Sequence, residues 1–460
     1  MTDTTLVVKK ATIIGLAREG VALAEYLARN GVKVTVSDLK PREELAAPLK
    51  ALSGVPVEFV LGAHPPEILD CDQLFISPGV PLDSPIILEA QRRGIPISGE
   101  SRFFLEHCPA PVIGVTGSSG KTTTVRLSSE ILTTAGFRTW IGGNIGEPLT
   151  PHLDQIALDD KVVMELSSFQ LKIMASSPRI AVILNITPNH LDRHPTMEDY
   201  IEAKKQIMRF QGPGDVTVLG HDNETTRRLV PFAKGQVALF SLETEVAEGA
   251  FLRHQQIILR LGGRERVICH EGDVKLLGRH NLANVLAAIT IAGLAGADAD
   301  AMWDVILSFR GVEHRLEPTR EINGVSYYND SIATSPERAA AALRSFDRPI
   351  VVLAGGQDKH LPWDELADLM LHKTRAVVLF GQAADLIDSA LVAARARSRT
   401  ALDRTPVVRR GGSLEEAVAI AHRLAQPGDV VLLSPGGTSY DAFKDFTERG
   451  EFFKTLVRAL

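Results

Sequence analysis

Val112-Ile-Gly-Val-Thr-Gly-Ser-Ser-Gly-Lys-Thr-Thr-Thr124 is the stretch on which the fold turns. The apolar run from Val112 to Val115 reads as a buried strand. Gly117 and Gly120 then make a tight turn. Lys121 and Thr122 open a helical pattern carried by Val125, Leu127, Ile131 and Leu132. A strand, a glycine turn and a helix N-terminus form an anion site, because backbone N–H groups and the helix dipole face the anion. Gly117, Ser118, Ser119 and Gly120 would cradle phosphates, with Thr123 in the first turn. Lys121 would reach the outer phosphates and Thr122 could ligate Mg²⁺. A strict P-loop has its first glycine where this chain has Val115, and the glycines fall instead at Gly114, Gly117 and Gly120. The motif is therefore a variant P-loop.

Upstream, Ala11 to Ile14 reads as a strand, Gly15 to Gly20 as a turn and Val21 to Arg29 as a helix. Val32 to Ser37 is a second strand, ending at Asp38. This βαβ unit narrowly misses the dinucleotide fingerprint, since Ala17 replaces the middle glycine. NAD, another nucleotide or no ligand all remain open for it. A strand over Gln73 to Ile76 ends in Ser77-Pro78-Gly79, and another spans Ile95 to Ile97. Pro109 and Pro111 then break the chain.

Downstream, Gly142-Gly-Asn-Ile-Gly146 precedes a strand, Val162 to Leu166, which carries Glu165 in apolar surroundings. A buried carboxylate is costly unless paired or metal-bound. Glu165 is thus either a Mg²⁺ ligand or a salt-bridged core residue. The strand Ile180 to Ile186 runs into Thr187-Pro-Asn-His-Leu-Asp-Arg-His194, placing His190 and Asp192 at a strand's carboxyl end. Met197 to Phe210 reads as a helix with Met197, Tyr200, Ile201, Ile207 and Met208 on one stripe. Lys204 lies in the middle of that stripe, either snorkelling to water or held in a site. Asn281 and Asn284 open an Ala-rich helix as caps or as contacts to a purine base. Beyond Gly311 to Leu316, strands at 325–328, 350–354, 376–380 and 430–433 alternate with helices, and polar loops gather at one sheet edge.

Composition bounds the rest. The 460 residues suit two to four domains, with 45% hydrophobic and 23% charged residues. A net charge of −6 and 5% aromatics argue against nucleic-acid binding. Cys71, Cys108 and Cys269 have no metal spacing and suit a reducing cytosol. No apolar run approaches the ~20 residues of a membrane helix. A cytoplasmic protein without membrane insertion is expected.

Together, these motifs resemble the Mur ligases across essentially the whole chain. The resembling stretches are Gly114 to Thr123, Gly143 to Gly146, Glu165-Leu-Ser-Ser-Phe-Gln-Leu171, His190 to Arg193 and Tyr200 to Lys204. Gly278 to Asn281, His314-Arg315, Asn329-Asp-Ser331 and Ser434 to Asp441 complete the set. The Glu-Leu-Ser-Ser-Phe-Gln form points to the glutamate-adding members. The resemblance implies an α/β fold of three domains: a Rossmann-like UDP-sugar domain at 1–107, a central P-loop ATPase domain at 108–312 and a Rossmann-like ligase domain at 313–460.

It implies roles as well. ATP's phosphates would be held by Lys121 and its loop. One Mg²⁺ would lie on Thr122 and Glu165 and a second on His190. Lys204 would be carbamylated. Asn281, Asn284 and Arg315 would contact the nucleotide and Asp330 its ribose. Arg18, Asp38, Ser77 and Gly79 would line the uridine site, with Asn144 on the UDP-sugar. Thr334, Lys359, Ser439 and Phe446 would surround the incoming amino acid. The implied substrates are UDP-N-acetylmuramoyl-L-alanine, D-glutamate and ATP, the enzyme acting as a monomer. Glutamate-adding members often carry Lys after Asn-Asp-Ser, where this chain has Ile332. A diaminopimelate-adding relative would carry Asp-Asn-Pro-Arg, which is missing here. A folylpolyglutamate synthase would not need residues 1–107, a dehydrogenase would bind NAD, and a sensing module would not need Glu165, His190 and Lys204 together.

Overall fold

A computed structural model of the chain describes residues 8–188, 194–359, 361–397 and 405–460. They form three sheets. The first is parallel, ordered Val57–Leu61, Lys33–Asp38, Lys10–Ile14, Gln73–Ile76, Ile97–Ser98. Its strands are short apolar runs joined by crossover helices, and that connection requires both faces to be covered. The helix after the first strand spans Arg18–Arg29. It starts three residues before the expected Val21, because Gly20 lets the first turn pack on the preceding loop. A Cβ at Gly20 would lie 2.1 Å from the Gly15 carbonyl oxygen.

The second sheet has nine strands, ordered Arg264–His270, Gln256–Leu261, Gly249–Arg253, Gln236–Ser241, Val216–Gly220, Ile180–Ile183, Val112–Thr116, Lys161–Glu165, Thr139–Gly143. The strand Val112–Thr116 is buried throughout. Its parallel neighbours are Ile180–Ile183 on one side and Lys161–Glu165 on the other, with Val115 opposite both Val182 and Glu165. The chain therefore reverses its strand order at the P-loop strand, and the crevice beyond the carboxyl ends opens there. The strand expected over 180–186 ends at Ile183, where the chain turns toward the P-loop. The helix expected over 197–210 is Met197–Lys205, followed by a 3₁₀ turn, Gln206–Met208.

The third sheet runs Glu317–Ile322, Val325–Asn329, Val430–Gly436, Ile350–Gly355, Thr374–Phe380, Val407–Arg410. Only its first pair is antiparallel. The central strands Ile350–Gly355 and Val430–Gly436 are buried at every position. The chain packs as two compact units. One holds residues up to Val274 with His280–Leu307, and so contains the first two sheets. The other holds Lys275–Arg279 with Ser308–Leu460.

Candidate active site

In the first unit, the P-loop helix spans Lys121–Thr134, and Gly120 precedes it in the left-handed region at φ 84°. That conformation and the space around it both call for glycine. A Cβ on Gly120 would sit 2.1 Å from Asn284 Oδ1. Asn284 Nδ2 donates to Asn281 Oδ1 at 3.1 Å. Both asparagines lie inside the helix Arg279–Leu294, not at its cap, so the capping alternative falls. They share a face, and Asn284 presses on the phosphate loop.

The loop is braced by Asn185, whose role was not evident from sequence. Asn185 Oδ1 accepts from Ser119 N at 3.0 Å, its Nδ2 donates to Ser119 O at 3.2 Å, and its backbone carbonyl accepts from Ser118 N at 2.9 Å. Ser118 Oγ donates to Thr187 O at 2.9 Å. Gly117 lies against Leu184, and Thr123 is buried in the first helical turn. A polar residue at the end of the apolar 180–186 run was the available signal for Asn185.

Glu165 is 3% exposed. Thr122 Oγ1 donates to its Oε2 at 2.8 Å, and Asn144 Nδ2 donates to its Oε1 at 2.9 Å. No cation lies at ion-pair distance among the described residues, which removes the salt-bridged alternative. Hydroxyl and carboxylate oxygens side by side are hard donors of the kind Mg²⁺ takes. Thr122 and Glu165 therefore fit such an ion. His190 and Asp192 lie outside the described residues.

Lys204 is 1% exposed, so it does not snorkel. Its Nζ donates to the Gly117 carbonyl at 2.9 Å and to Thr116 Oγ1 at 3.4 Å, above the Tyr200 ring. Lys121 Nζ donates to the same Gly117 carbonyl, also at 2.9 Å. Burial, then the charge of Lys121, push the Lys204 amine well below its usual value, against an opposing pull from Glu165. Two amines on one carbonyl beside the phosphate loop leave positive potential for an anion to offset. The helix carrying Lys204 is anchored by His194, which sequence reasoning also missed. His194 Nδ1 pairs with Asp199 Oδ2 at 2.7 Å and its Nε2 with Ser168 Oγ at 2.9 Å.

The first sheet adds a second cluster to this unit. Arg18 donates to the Gly146 carbonyl, and its other nitrogen lies 3.4 Å from the Gly143 carbonyl, flanking Asn144. Asp38 accepts from Leu16 N at 2.8 Å and Lys40 N at 2.9 Å, so both its oxygens hold the turns around it. Ser77 Oγ donates to Gly15 O at 3.0 Å, while Gly79 is exposed on the same loop.

In the second unit, Asp330 is buried, accepting from Ser434 Oγ at 2.8 Å and Leu316 N at 3.2 Å. Burial raises its carboxyl to about 7, against the nearby charge of Arg315. The loops after the three adjacent strands Val325–Asn329, Ile350–Gly355 and Val430–Gly436 are tied together. Gly436 N donates to Ala333 O at 2.9 Å and Thr438 N to Gln357 O at 2.8 Å. Ser331 Oγ donates to Phe446 O at 2.7 Å. Arg449, fully buried, donates to the carbonyls of Ser331, Gly437 and Thr438 and to Ser331 Oγ. Thr334, Lys359 and Ser439 lie on these tied loops, and Phe446 starts the helix bonded to Ser331. Arg449 was hidden in sequence because its helix reads as an ordinary amphipathic one.

Fold and site define a P-loop protein of three α/β sheets, with a buried lysine beside the phosphate loop. Family models match along the chain: the Mur ligase MurD-like N-terminal domain at residues 9–99, the Mur ligase middle domain at 115–292 and the Mur ligase glutamate ligase domain at 314–437. The chain belongs to the Mur ligase family. It is 45% identical over 98% of both chains to the UDP-N-acetylmuramoylalanine--D-glutamate ligase of Symbiobacterium thermophilum. The ligase of that name from Acetivibrio thermocellus is 42% identical over 98% of this chain and 97% of its own. Among solved structures, the UDP-N-acetylmuramate-alanine ligase of Thermotoga maritima aligns with a TM-score of 0.59 at 20% identity, covering 98% of this chain and 99% of its own. The MurF ligase of the same organism, in complex with ADP, aligns at 0.58 with 19% identity over 100% of both chains.

Proposed function

We propose that this protein is an ATP-dependent ligase that joins D-glutamate to UDP-N-acetylmuramoyl-L-alanine, forming ADP and phosphate. The observation that carries this reading is the convergence of Lys121 and Lys204 on the Gly117 carbonyl, beside Thr122 and Glu165. A carboxylate does not condense with an amine in water at a useful rate, so it must first be activated. The alanine carboxylate attacks the γ-phosphorus of ATP, ADP leaves, and an acyl phosphate forms. The glutamate amine attacks the acyl carbon and loses a proton. The tetrahedral intermediate then expels phosphate and leaves an amide. Lys121 offsets charge on the transferring phosphoryl group. Mg²⁺, held by Thr122 and Glu165, would supply further charge neutralisation during phosphoryl transfer.

Lys204 takes up CO₂ on its neutral amine, losing one proton and becoming a carbamate. Its negative charge would balance Lys121 and would help hold Mg²⁺. In this reading Thr122 and Glu165 would hold one Mg²⁺ and His190 a second. Residues 1–107 hold the UDP-sugar through Arg18, Asp38, Ser77 and Gly79, with Asn144 from the central domain. Residues 108–312 bind ATP, with Asn281 and Asn284 near the base. Residues 313–460 bring Arg315, Asp330 and the glutamate site at Thr334, Lys359, Ser439 and Phe446. The enzyme works as a cytoplasmic monomer. Among the described residues, no helix is long and apolar enough to cross a membrane.

The test is phosphate release with ATP, Mg²⁺ and UDP-N-acetylmuramoyl-L-alanine, comparing D- with L-glutamate. Release with D-glutamate alone supports the reading. Release with L-glutamate alone keeps the mechanism and changes the product. ATP turnover with neither amino acid present would overturn it in favour of a plain nucleotidase.

A further inference from the structure

We infer that Tyr200 is a positioning residue for ATP: its buried hydroxyl fixes the shape of the phosphate loop by holding Ser118. The inference rests on the reading of that loop as the site of ATP's phosphates.

Ser118 lies in the turn between strand Val112–Thr116 and helix Lys121–Thr134. Its backbone N–H donates to the Asn185 carbonyl at 2.9 Å. Its Oγ donates to the Thr187 carbonyl at 2.9 Å and accepts from Thr187 N at 3.0 Å. Tyr200 Oη lies 3.2 Å from the same Oγ. A serine hydroxyl has one hydrogen and two lone pairs. The hydrogen goes to Thr187, whose carbonyl can only accept. The proton in the contact with Tyr200 is therefore the phenol's, and Tyr200 donates. Ser118 is then saturated, with both its protons and both its hydroxyl lone pairs spent inside the protein. It anchors the loop, which leaves the helix start at Lys121 and Thr122 to meet the nucleotide.

Three of the four bonds to Ser118 come from one segment, residues 185–187. The fourth brings in a second element, the helix Met197–Lys205. Tyr200 is 1% exposed, so its O–H needs an internal partner. Its ring meets the His194 ring edge-on, with centroids 5.0 Å apart, and the Lys204 amine stands 4.6 Å from its centroid. Tyr200 and Lys204 are four residues apart and leave the helix on one face. Lys204 reaches the Gly117 carbonyl and Tyr200 reaches Ser118 Oγ, so adjacent loop residues are held from adjacent turns of one helix. Losing the hydroxyl alone keeps the ring, leaves Ser118 one donor short and lets the loop sample shapes that do not fit the nucleotide.

The experiment is calorimetric titration of the full-length protein with a non-hydrolysable ATP analogue and Mg²⁺, for wild type, Tyr200→Phe, Ser118→Ala and the double variant. Tyr200→Phe should raise Kd by roughly three- to tenfold, the scale of one hydrogen bond. In the Ser118→Ala background the same substitution should change Kd by less than about twofold, because its partner is already gone. In steady state, KM for ATP should rise with Kd, while KM for glutamate and for the UDP-linked substrate should hold. A Tyr200→Phe protein with a lower melting temperature and a wild-type Kd overturns the inference, since the contact would then be merely structural. An equal rise in Kd in both backgrounds overturns it too, since Ser118 would not be the route. Ser118→Ala removes the same bond from the loop's side, and an unchanged Kd there overturns the inference whether or not Tyr200→Phe folds. A wild type that binds the analogue but ligates neither glutamate isomer overturns the proposed function and leaves this inference standing.

Discussion

Lys204 shows how much of this chemistry depends on one side chain's surroundings. A lysine amine in water is protonated, and only the neutral amine adds CO₂. Here desolvation disfavours the charged form, and Lys121 adds a like charge. The same burial leaves the amine bonded to Gly117 O and Thr116 Oγ1, aimed at the phosphate loop. Lys204→Ala should lose activity by on the order of a hundredfold or more, the scale seen when a preorganised charge is removed from a reacting centre. Added short carboxylic acids should restore part of it without bicarbonate, by placing a carboxylate where the proposed carbamate would sit. A variant that stays fully active, or one that no acid restores, would sink the carbamate.

At the scale of elements, the junction of strand Val112–Thr116 and helix Lys121–Thr134 works because one position has no side chain. Gly120 combines φ 84° with an approach by Asn284 that leaves no room for a Cβ. Gly120→Ala should therefore both strain the backbone, by about 1–2 kcal/mol for the left-handed conformation, and push Asn284 off the loop. KM for ATP is expected to rise with KM for glutamate held. An unchanged KM for ATP would show that neither the turn nor Asn284 matters to nucleotide binding. The strand readings held at this scale because fully buried parallel strands are continuous apolar runs. Ala11–Ile14, Gln73–Ile76 and Val112–Val115 were legible for that reason. Strand Thr139–Gly143 was not, because its glycines read as a turn, and Val57–Leu61 is an edge strand with little apolar excess.

Across the first unit as a whole, two carboxylates, Glu100 buried and Glu19 half-buried, join its two sheets. Glu100 accepts from Thr150 Oγ1 at 2.7 Å and Thr150 N at 3.2 Å. Glu19 accepts from Gln170 Nε2 at 2.9 Å, and that nitrogen also bonds Ser101 Oγ at 2.9 Å. Burial, helped by the charge of Glu100, lifts Glu19 to about 8. Glu19 thus holds its proton more tightly folded than unfolded. Its contribution to stability is complete below the unfolded value, near 4.5, and is lost as pH rises through about 8. Glu19→Gln keeps the acceptor and removes the titration. Its melting temperature should match wild type near pH 4.5 and exceed it increasingly up to pH 8, by a few kcal/mol of stability at most. A gap that does not widen with pH would mean Glu19 titrates normally.

What the sequence alone determined is what local chemistry encodes. The P-loop is a contiguous backbone device, and apolar runs or stripes mark which faces are buried. Those two signals placed the three sheets, the phosphate loop, Glu165 and the stripe around Lys204. Tertiary structure decided everything that depends on which distant groups meet. The helical stripe around Lys204 was visible, yet whether its amine turns to water or to Gly117 depends on a loop 87 residues away. Asn284 reads as a cap until it meets Gly120. Arg449 and Glu19 look like ordinary helix-surface charges until packing seals the first from water and half-buries the second. The physical reason is that desolvation and charge act through space. A side chain's pKa, partner and role are set by neighbours that chain order does not name.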